Sequence, residues 1–95
     1  SMFKGCNSLV SIPQLDISNV TDMTDMFRLD YMLEEVRFKG NPSKMDTNNL
    51  SNMFAGAGRD VEGGSILYYD SRYDYSKIIN ILPSTWTAAP YDVVE

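Results

Sequence analysis

The chain has 95 residues, which sets it as one domain with a thin core rather than two. A net charge of −5 argues against phosphate backbones and anionic membrane as partners, and a single cysteine, Cys6, rules out an internal disulfide. No segment reaches the ~18 consecutive apolar residues of a membrane span, and the N-terminus lacks the basic-then-apolar pattern of a signal peptide.

The first element met along the chain is half of a repeat. Met2-Phe3 recurs as Met26-Phe27 and Met53-Phe54, at separations of 24 and 27 residues. Such spacing lies within the roughly 20–29 residues of a leucine-rich repeat. Neighbouring positions move with the pair: Leu9 and Leu33 follow Phe3 and Phe27 by six, and Ile12 and Val36 come three later. Lys4-Gly5-Cys6 after the first pair matches Ala55-Gly56-Ala57 after the third, whereas the second copy departs with Arg28-Leu29-Asp30. Cys6 is therefore expected to be a buried, reduced thiol in the small-residue position of Ala57. Ser1-Met2-Phe3 opens in the middle of a unit, so the expectation is that either more repeats precede it in a parent protein or this end pairs with another molecule.

Residues 9–15 read as a short strand. Val20, Met23, Met26 and Phe27 then form one face of a short helix, with Ser18 or Asn19 as its cap. Residues 33–38 read as a second strand, with Val36 and Phe38 inward and Arg37 outward at the period of two. The turn cluster Gly40-Asn41-Pro42-Ser43 takes up the three extra residues of the second unit. Leu50, Met53 and Phe54 repeat the helical stripe, with Thr47 or Asn48 as cap. Gly56, Gly58, Gly63 and Gly64 mark a turn-rich link to a third strand at 65–69. Residues 74–81 read as a helix capped by Asp74 and ended by Pro83. Thr85-Trp86-Thr87 forms a last extended piece, Pro90 interrupts it, and 91–95 is a tail.

Stacked units place Phe3, Phe27 and Phe54 in one column and Leu9 and Leu33 in another, each worth about 1.5–3 kcal/mol on full burial. The fold class predicted is α/β, a leucine-rich-repeat-like right-handed solenoid fragment of two to three rungs with an aromatic-rich C-terminal cap. Residues 1–62 hold the degenerate units and 63–95 the last rung and the cap, in one continuous domain. Tyr68, Tyr69, Tyr73, Tyr75, Trp86 and Tyr91 are expected to close the core with their polar tips at the surface. The alternative is a stacking platform for a sugar or peptide.

Met2-Phe3-Lys4-Gly5-Cys6-Asn7-Ser8-Leu9, Ile12-Pro13-Gln14-Leu15-Asp16, Ser18-Asn19-Val20-Thr21-Asp22-Met23 and Met26-Phe27 together resemble one full repeat of the BspA-like leucine-rich-repeat group of bacterial surface and secreted proteins. The match is close over residues 1–27 and degenerate over 28–58, where Asp30 stands in place of a small residue or cysteine. The segments Gly64-Ser65-Ile66-Leu67-Tyr68-Tyr69, Tyr73-Asp74-Tyr75-Ser76-Lys77-Ile78-Ile79 and Leu82-Pro83-Ser84-Thr85-Trp86-Thr87 look like the terminal segment that closes such arrays. The resemblance implies a non-catalytic module in adhesion or ligand contact, at the cell surface or secreted. It carries over no binding residues.

Catalytic chemistry finds little to stand on. Histidine, the commonest general base, is absent. Cys6 consequently lacks a His partner, the serines lack a Gly-x-Ser-x-Gly context, and no glycine-rich phosphate loop is present. Asp16, Asp22, Asp25 and Asp30 do not follow a calcium-loop pattern, and Asp22 and Asp25 read as exposed helix positions opposite the Met stripe. No enzyme activity, catalytic residue, metal or cofactor is predicted. The expected partner is a protein or glycan, met by exposed strand residues such as Ser11, Gln14, Glu34, Glu35 and Arg37 as part of a shallow sheet. The alternative is a purely structural cap or spacer. The apolar residues Met2, Phe3, Leu9, Ile12 and Leu15 of the first rung also predict self-association through that end, with Pro13 and Lys4 opposing edge pairing.

Overall fold

Among the described residues four strands pair in parallel in one sheet, in the order β1 (Ser11–Asp16), β2 (Glu35–Lys39), β3 (Ser65–Asp70), β4 (Trp86–Tyr91). The computed structural model describes every residue except Ser1, Met2, Cys6, Asn7, Thr47, Asn49, Ser51 and Glu95, so the expectations for Cys6 and for Thr47 as a cap lie outside the described residues. Chain order equals spatial order, and each connection returns the chain to the same end of the sheet. The result is a parallel β-solenoid of about three turns with little helix.

The register follows the alternation of the sequence. Ile12, Val36, Leu67 and Ala88 share one row, and Leu15, Phe38, Tyr69 and Pro90 another. Val36, Phe38 and Leu67 are fully buried. The register of β1 slips between Ile12 and Leu15, the stretch that holds Pro13. Proline offers no N–H to a ladder, so such a residue belongs on an edge strand or at a bulge, and β1 provides both. The same reasoning corrects the expectation for Pro90. That residue does not interrupt β4, which runs on through Tyr91, because β4 lies at the other edge of the sheet.

Among the described residues, the two helices expected around 20–27 and around 50–54 do not form. The chain there runs through successive turns, at 24–29 and 52–60. Some amides close local turns, as Met26 N–H donates to the Met23 carbonyl (3.1 Å) and Arg28 N–H to the Asp25 carbonyl (3.1 Å). The others cross to the next rung. Phe3 N–H donates to Met26 O (3.0 Å), Gly5 N–H to Arg28 O (2.9 Å), Phe27 N–H to Met53 O (2.8 Å) and Leu29 N–H to Ala55 O (2.9 Å). Left-handed backbone at Asp25 (φ 59°), Leu29 (φ 66°) and Asn52 (φ 55°) is incompatible with continuing a right-handed helix. A second ladder of backbone bonds thus faces the sheet, and the Met-Phe stripe is buried between the two. Asp22 and Asp25 are accordingly not helix positions, and Asp25 is only half exposed.

The core is the predicted aromatic column, extended by one ring. Phe3 stacks on Phe27 (centroids 5.7 Å), Phe27 on Phe54 (5.4 Å), and Trp86 covers Phe54 (5.0 Å). The Trp86 indole N–H donates to the Ala57 carbonyl at 2.9 Å, which satisfies its polar tip inside the molecule rather than at the surface. Asp30 fills the position of Ala57 and is fully buried, yet its turn keeps the repeat's register, its carbonyl accepting from Gly58 N–H (2.9 Å).

In the cap, helix α1 covers only Ser76–Ile79, shorter than the 74–81 expected, and Asp74 Oδ1 accepts from Ser76 N–H (2.9 Å). The three extra residues of the second unit do fall in the loop after β2, where Pro42–Lys44 makes a 3-10 turn. That loop is tied to the cap by Asp70, the last residue of β3 and fully buried. Its carboxylate accepts from Gly40 N–H (2.9 Å), Arg72 N–H (3.1 Å), Arg72 Nε (2.9 Å) and Arg72 Nη2 (2.7 Å). The Arg72 guanidinium, followed by the two backbone donors, outweighs burial and holds this carboxyl well below the usual carboxylate range. The buried Tyr75 hydroxyl donates to the Gly40 carbonyl, closing the same junction.

Candidate functional site

Burial of Val36, Phe38 and Leu67 leaves the intervening side chains on the outer face of the sheet. One residue from each strand meets there. Arg37 on β2 lies over the Tyr68 ring of β3, 4.4 Å from its centroid, and 5.5 Å from the Tyr91 centroid of β4. Tyr68 and Tyr91 meet edge to face at 6.4 Å. The Tyr91 hydroxyl donates to Gln14 Oε1 of β1 at 3.2 Å. Glu35 holds the Arg37 guanidinium from the other side, Oε2 to Nε 3.2 Å.

None of these contacts is strong alone. An exposed ion pair is worth about 0–1 kcal/mol, and an exposed cation-π contact about 0.5–1 kcal/mol. Their joint effect is to fix rotamers, so the face is set before any partner arrives. Burial against the sheet, and then the nearby Asp70 carboxylate, push the Tyr91 phenol upward in pKa, which keeps it a neutral donor.

Of the sheet residues singled out from sequence, Gln14, Glu35 and Arg37 are brought together. Ser11 is exposed at the start of β1 in the same row as Glu35, and Glu34 is exposed just before β2. Among the described residues, neither side chain bonds to the Arg37 group. Sequence reasoning placed Tyr68 and Tyr91 first in core closure, with a stacking platform as the alternative, and did not join them to Arg37. The signal was available for Tyr68, since Leu67 inward forces its neighbour outward. Tyr75 and Trp86 do close the core.

Among the described residues no three acidic side chains converge as a metal ion would require. Asp16 and Asp22 instead cap local turns at Ser18 and Thr24, bonds that lower both carboxyls below their usual range. Two shallow cavities flank the cap. One, about 330 Å³, lies against the third turn, lined by Leu50, Met53, Phe54, Ile81 and Pro83 among others. The other, about 380 Å³, lies between the 3-10 turn and α1, lined by Ser43, Arg72, Tyr73, Asp74 and Lys77 among others.

The fold defines the class, a short parallel β-solenoid with a closed C-terminal side. No family model matches the sequence, and neither the curated proteins nor the solved structures hold a match to it.

Proposed function

We propose that this chain is a non-catalytic interaction module of a leucine-rich-repeat surface protein of the BspA-like kind, and that it meets a protein or glycan ligand with the outer face of its sheet. The observation that carries the reading is the convergence of Gln14, Arg37, Tyr68 and Tyr91, one from each strand, on a face the core does not need. Tyrosine and arginine are the residue types that carry most contact energy at interfaces, and ring faces suit both sugars and peptides. Display at the cell surface or by secretion belongs to the same proposal.

The test is a screen of the immobilised protein against protein and glycan arrays, repeated with the Arg37→Ala/Tyr68→Ala double variant. Loss of an anchor pair costs 2 kcal/mol or more, about thirtyfold in affinity. Ligands captured equally by both proteins would sink the proposal. A second reading, a structural cap or spacer, is favoured by Trp86, which seals the end of the Phe column. It expects both arrays to stay silent.

A further inference from the structure

Arg37 is oriented by its neighbours and only partly used by them. Its guanidinium lies over the Tyr68 ring, with the Tyr91 ring beside it, and Nε donates to Glu35 Oε2 at 3.2 Å. An arginine carries five N–H donors in one rigid plane. Here the Nε donor is engaged, and among the described residues neither Nη nitrogen donates to a protein acceptor. The side chain is 35% exposed, so the outer edge of the fork meets solvent.

A fork fixed in this way recognises two coplanar acceptor oxygens, and its rotamer freedom is spent before a ligand arrives. Three chemistries could supply the oxygens. A sugar uses an aromatic site by stacking on a ring face, but the guanidinium covers one face of Tyr68, and Tyr91 meets Tyr68 edge to face at 6.4 Å. A phosphate group brings nearly two negative charges, against the Glu35 carboxylate beside the fork and a chain of net charge −5. A carboxylate brings one. Next to the fork lies an apolar strip. Ile66 precedes Tyr68 by two on the same outward face of β3, and Ala89 pairs with Tyr68 from β4. Both are half-buried. Residues two apart on an extended chain are separated by about 6.6 Å, which is also the spacing from Tyr68 to Ile66.

We infer that the outer face takes an extended segment of a partner protein in which an aspartate or glutamate lies two residues from an aliphatic side chain. The carboxylate oxygens accept from Arg37 Nη1 and Nη2, and the aliphatic side chain rests on Ile66 and Ala89. Acidic-motif recognition by arginine is a recurring mode of peptide binding. The inference rests on the proposed function of this same face and names the chemistry of its partner. Recognition is local: at physiological salt, exposed charges are screened beyond about 8 Å, so the acidic balance of the remaining chain does not oppose contact at the fork.

The test uses the full chain, isotope-labelled, and the blocked peptides Gly-Ser-Glu-Thr-Val-Ser-Gly and Gly-Ser-Val-Thr-Glu-Ser-Gly. Each is compared with counterparts carrying Gln or phosphoserine in place of Glu, and with an oligomer of glucuronic acid. At least one Glu peptide is expected to shift the signals of Arg37, Tyr68 and Ile66, and to bind about tenfold or more tighter than its counterparts and the sugar. Arg37→Lys keeps the charge and removes the planar fork; it is expected to weaken that peptide about tenfold and to leave the Gln counterpart unchanged. Glu and Gln peptides that bind equally, and are both lost in the Arg37→Ala/Tyr68→Ala variant, would overturn the carboxylate and leave the face standing as a binding surface. Absence of shifts at millimolar Glu peptide would also overturn the inference. So would shifts centred on Arg72 and Lys77, or tighter binding of the phosphopeptide or the sugar, while the array screen judges the face by itself.

Discussion

Asp70 shows how much one side chain can hold. It ends β3, yet its partners are a loop residue of the preceding rung, Gly40, and the first turn of the cap through Arg72. Hydrogen bonds to a charged group are worth about 1.5–3 kcal/mol, and a buried carboxylate that lost them would be costly. Asp70→Asn keeps the shape and removes the charge. It is expected to lower stability by about 2–3 kcal/mol, seen as a drop of roughly 10 °C in Tm for a domain of this size. The pH dependence follows from the depressed carboxyl. Because the folded protein holds Asp70 ionised below its ordinary range, the stabilisation is complete above about pH 4 and is lost as pH falls further through the folded value. Urea midpoints measured from about pH 5 to pH 2 should therefore fall less steeply for the variant. A residual slope is expected from Asp16, Asp22, Asp60 and Asp74, which are lowered as well. A variant with the full wild-type slope would show that Asp70 is not the acid-sensitive tie.

At the level of the element, the turns between strands carry the least expected structure. A stripe at i, i+3 and i+4 suits a helix, but it also suits consecutive turns, each of which brings residues three apart to one side. What separates the two is the left-handed backbone, and its positions repeat: Gly5 (φ 71°), Leu29 (φ 66°) and Gly56 (φ 77°) are equivalent, as are Asp25 and Asn52. Two of the three equivalents are glycine, so Leu29 bears a cost of about 1–2 kcal/mol that its counterparts avoid. Its side chain recovers part of this by lying against Gly56, where an added Cβ would come within 3.5 Å of Leu29 Cδ2. Leu29→Ala and Leu29→Gly both remove that contact, and only the glycine relieves the backbone. Leu29→Gly is expected to be the more stable of the two by about 1 kcal/mol in denaturant melts. Equal stabilities would argue against a left-handed residue, and hence against the turn ladder at this rung.

For the molecule as a whole, stability is that of a short stack, in which each rung contacts only its neighbours. Such a stack depends on its ends. Trp86 is only 6% exposed, covers Phe54 and satisfies the Ala57 carbonyl, so it joins the cap to the aromatic column. Gly58 makes that approach feasible: it is buried with φ 70°, and a Cβ there would press on Ser65 Oγ, the Leu33 carbonyl and the Trp86 ring nitrogen. Trp86→Ala is expected to cost about 3–5 kcal/mol. With roughly 0.05–0.15 kcal/mol of stability per residue, that is a large share of the total. The variant should melt at far lower temperature by circular dichroism, with loss spread over all rungs rather than confined to the cap. A melt within a few degrees of wild type would show that the column stands without its last ring.

The repeat, the alternation of strand faces and the Phe column were legible in residue order alone, because each rests on local spacing. Met-Phe at 24 and 27 residues sets the rung length, and Val36-Arg37-Phe38 states its own inward and outward sides. Tertiary structure decided the rest, for one physical reason: the deciding partner lies a full rung away in sequence. Whether Phe27 N–H closes a helix or crosses to Met53 depends on a carbonyl 26 residues further on. Pro90 is acceptable in a strand only because β4 lies at an edge. Tyr91 joins Arg37 and Gln14 only because four strands stack in parallel. Asp30 is fully buried in a position that Ala57 holds one turn later, and its carbonyl still accepts from Gly58 N–H a rung away. Local pattern determines which way a side chain faces, and only the stack determines what it meets there.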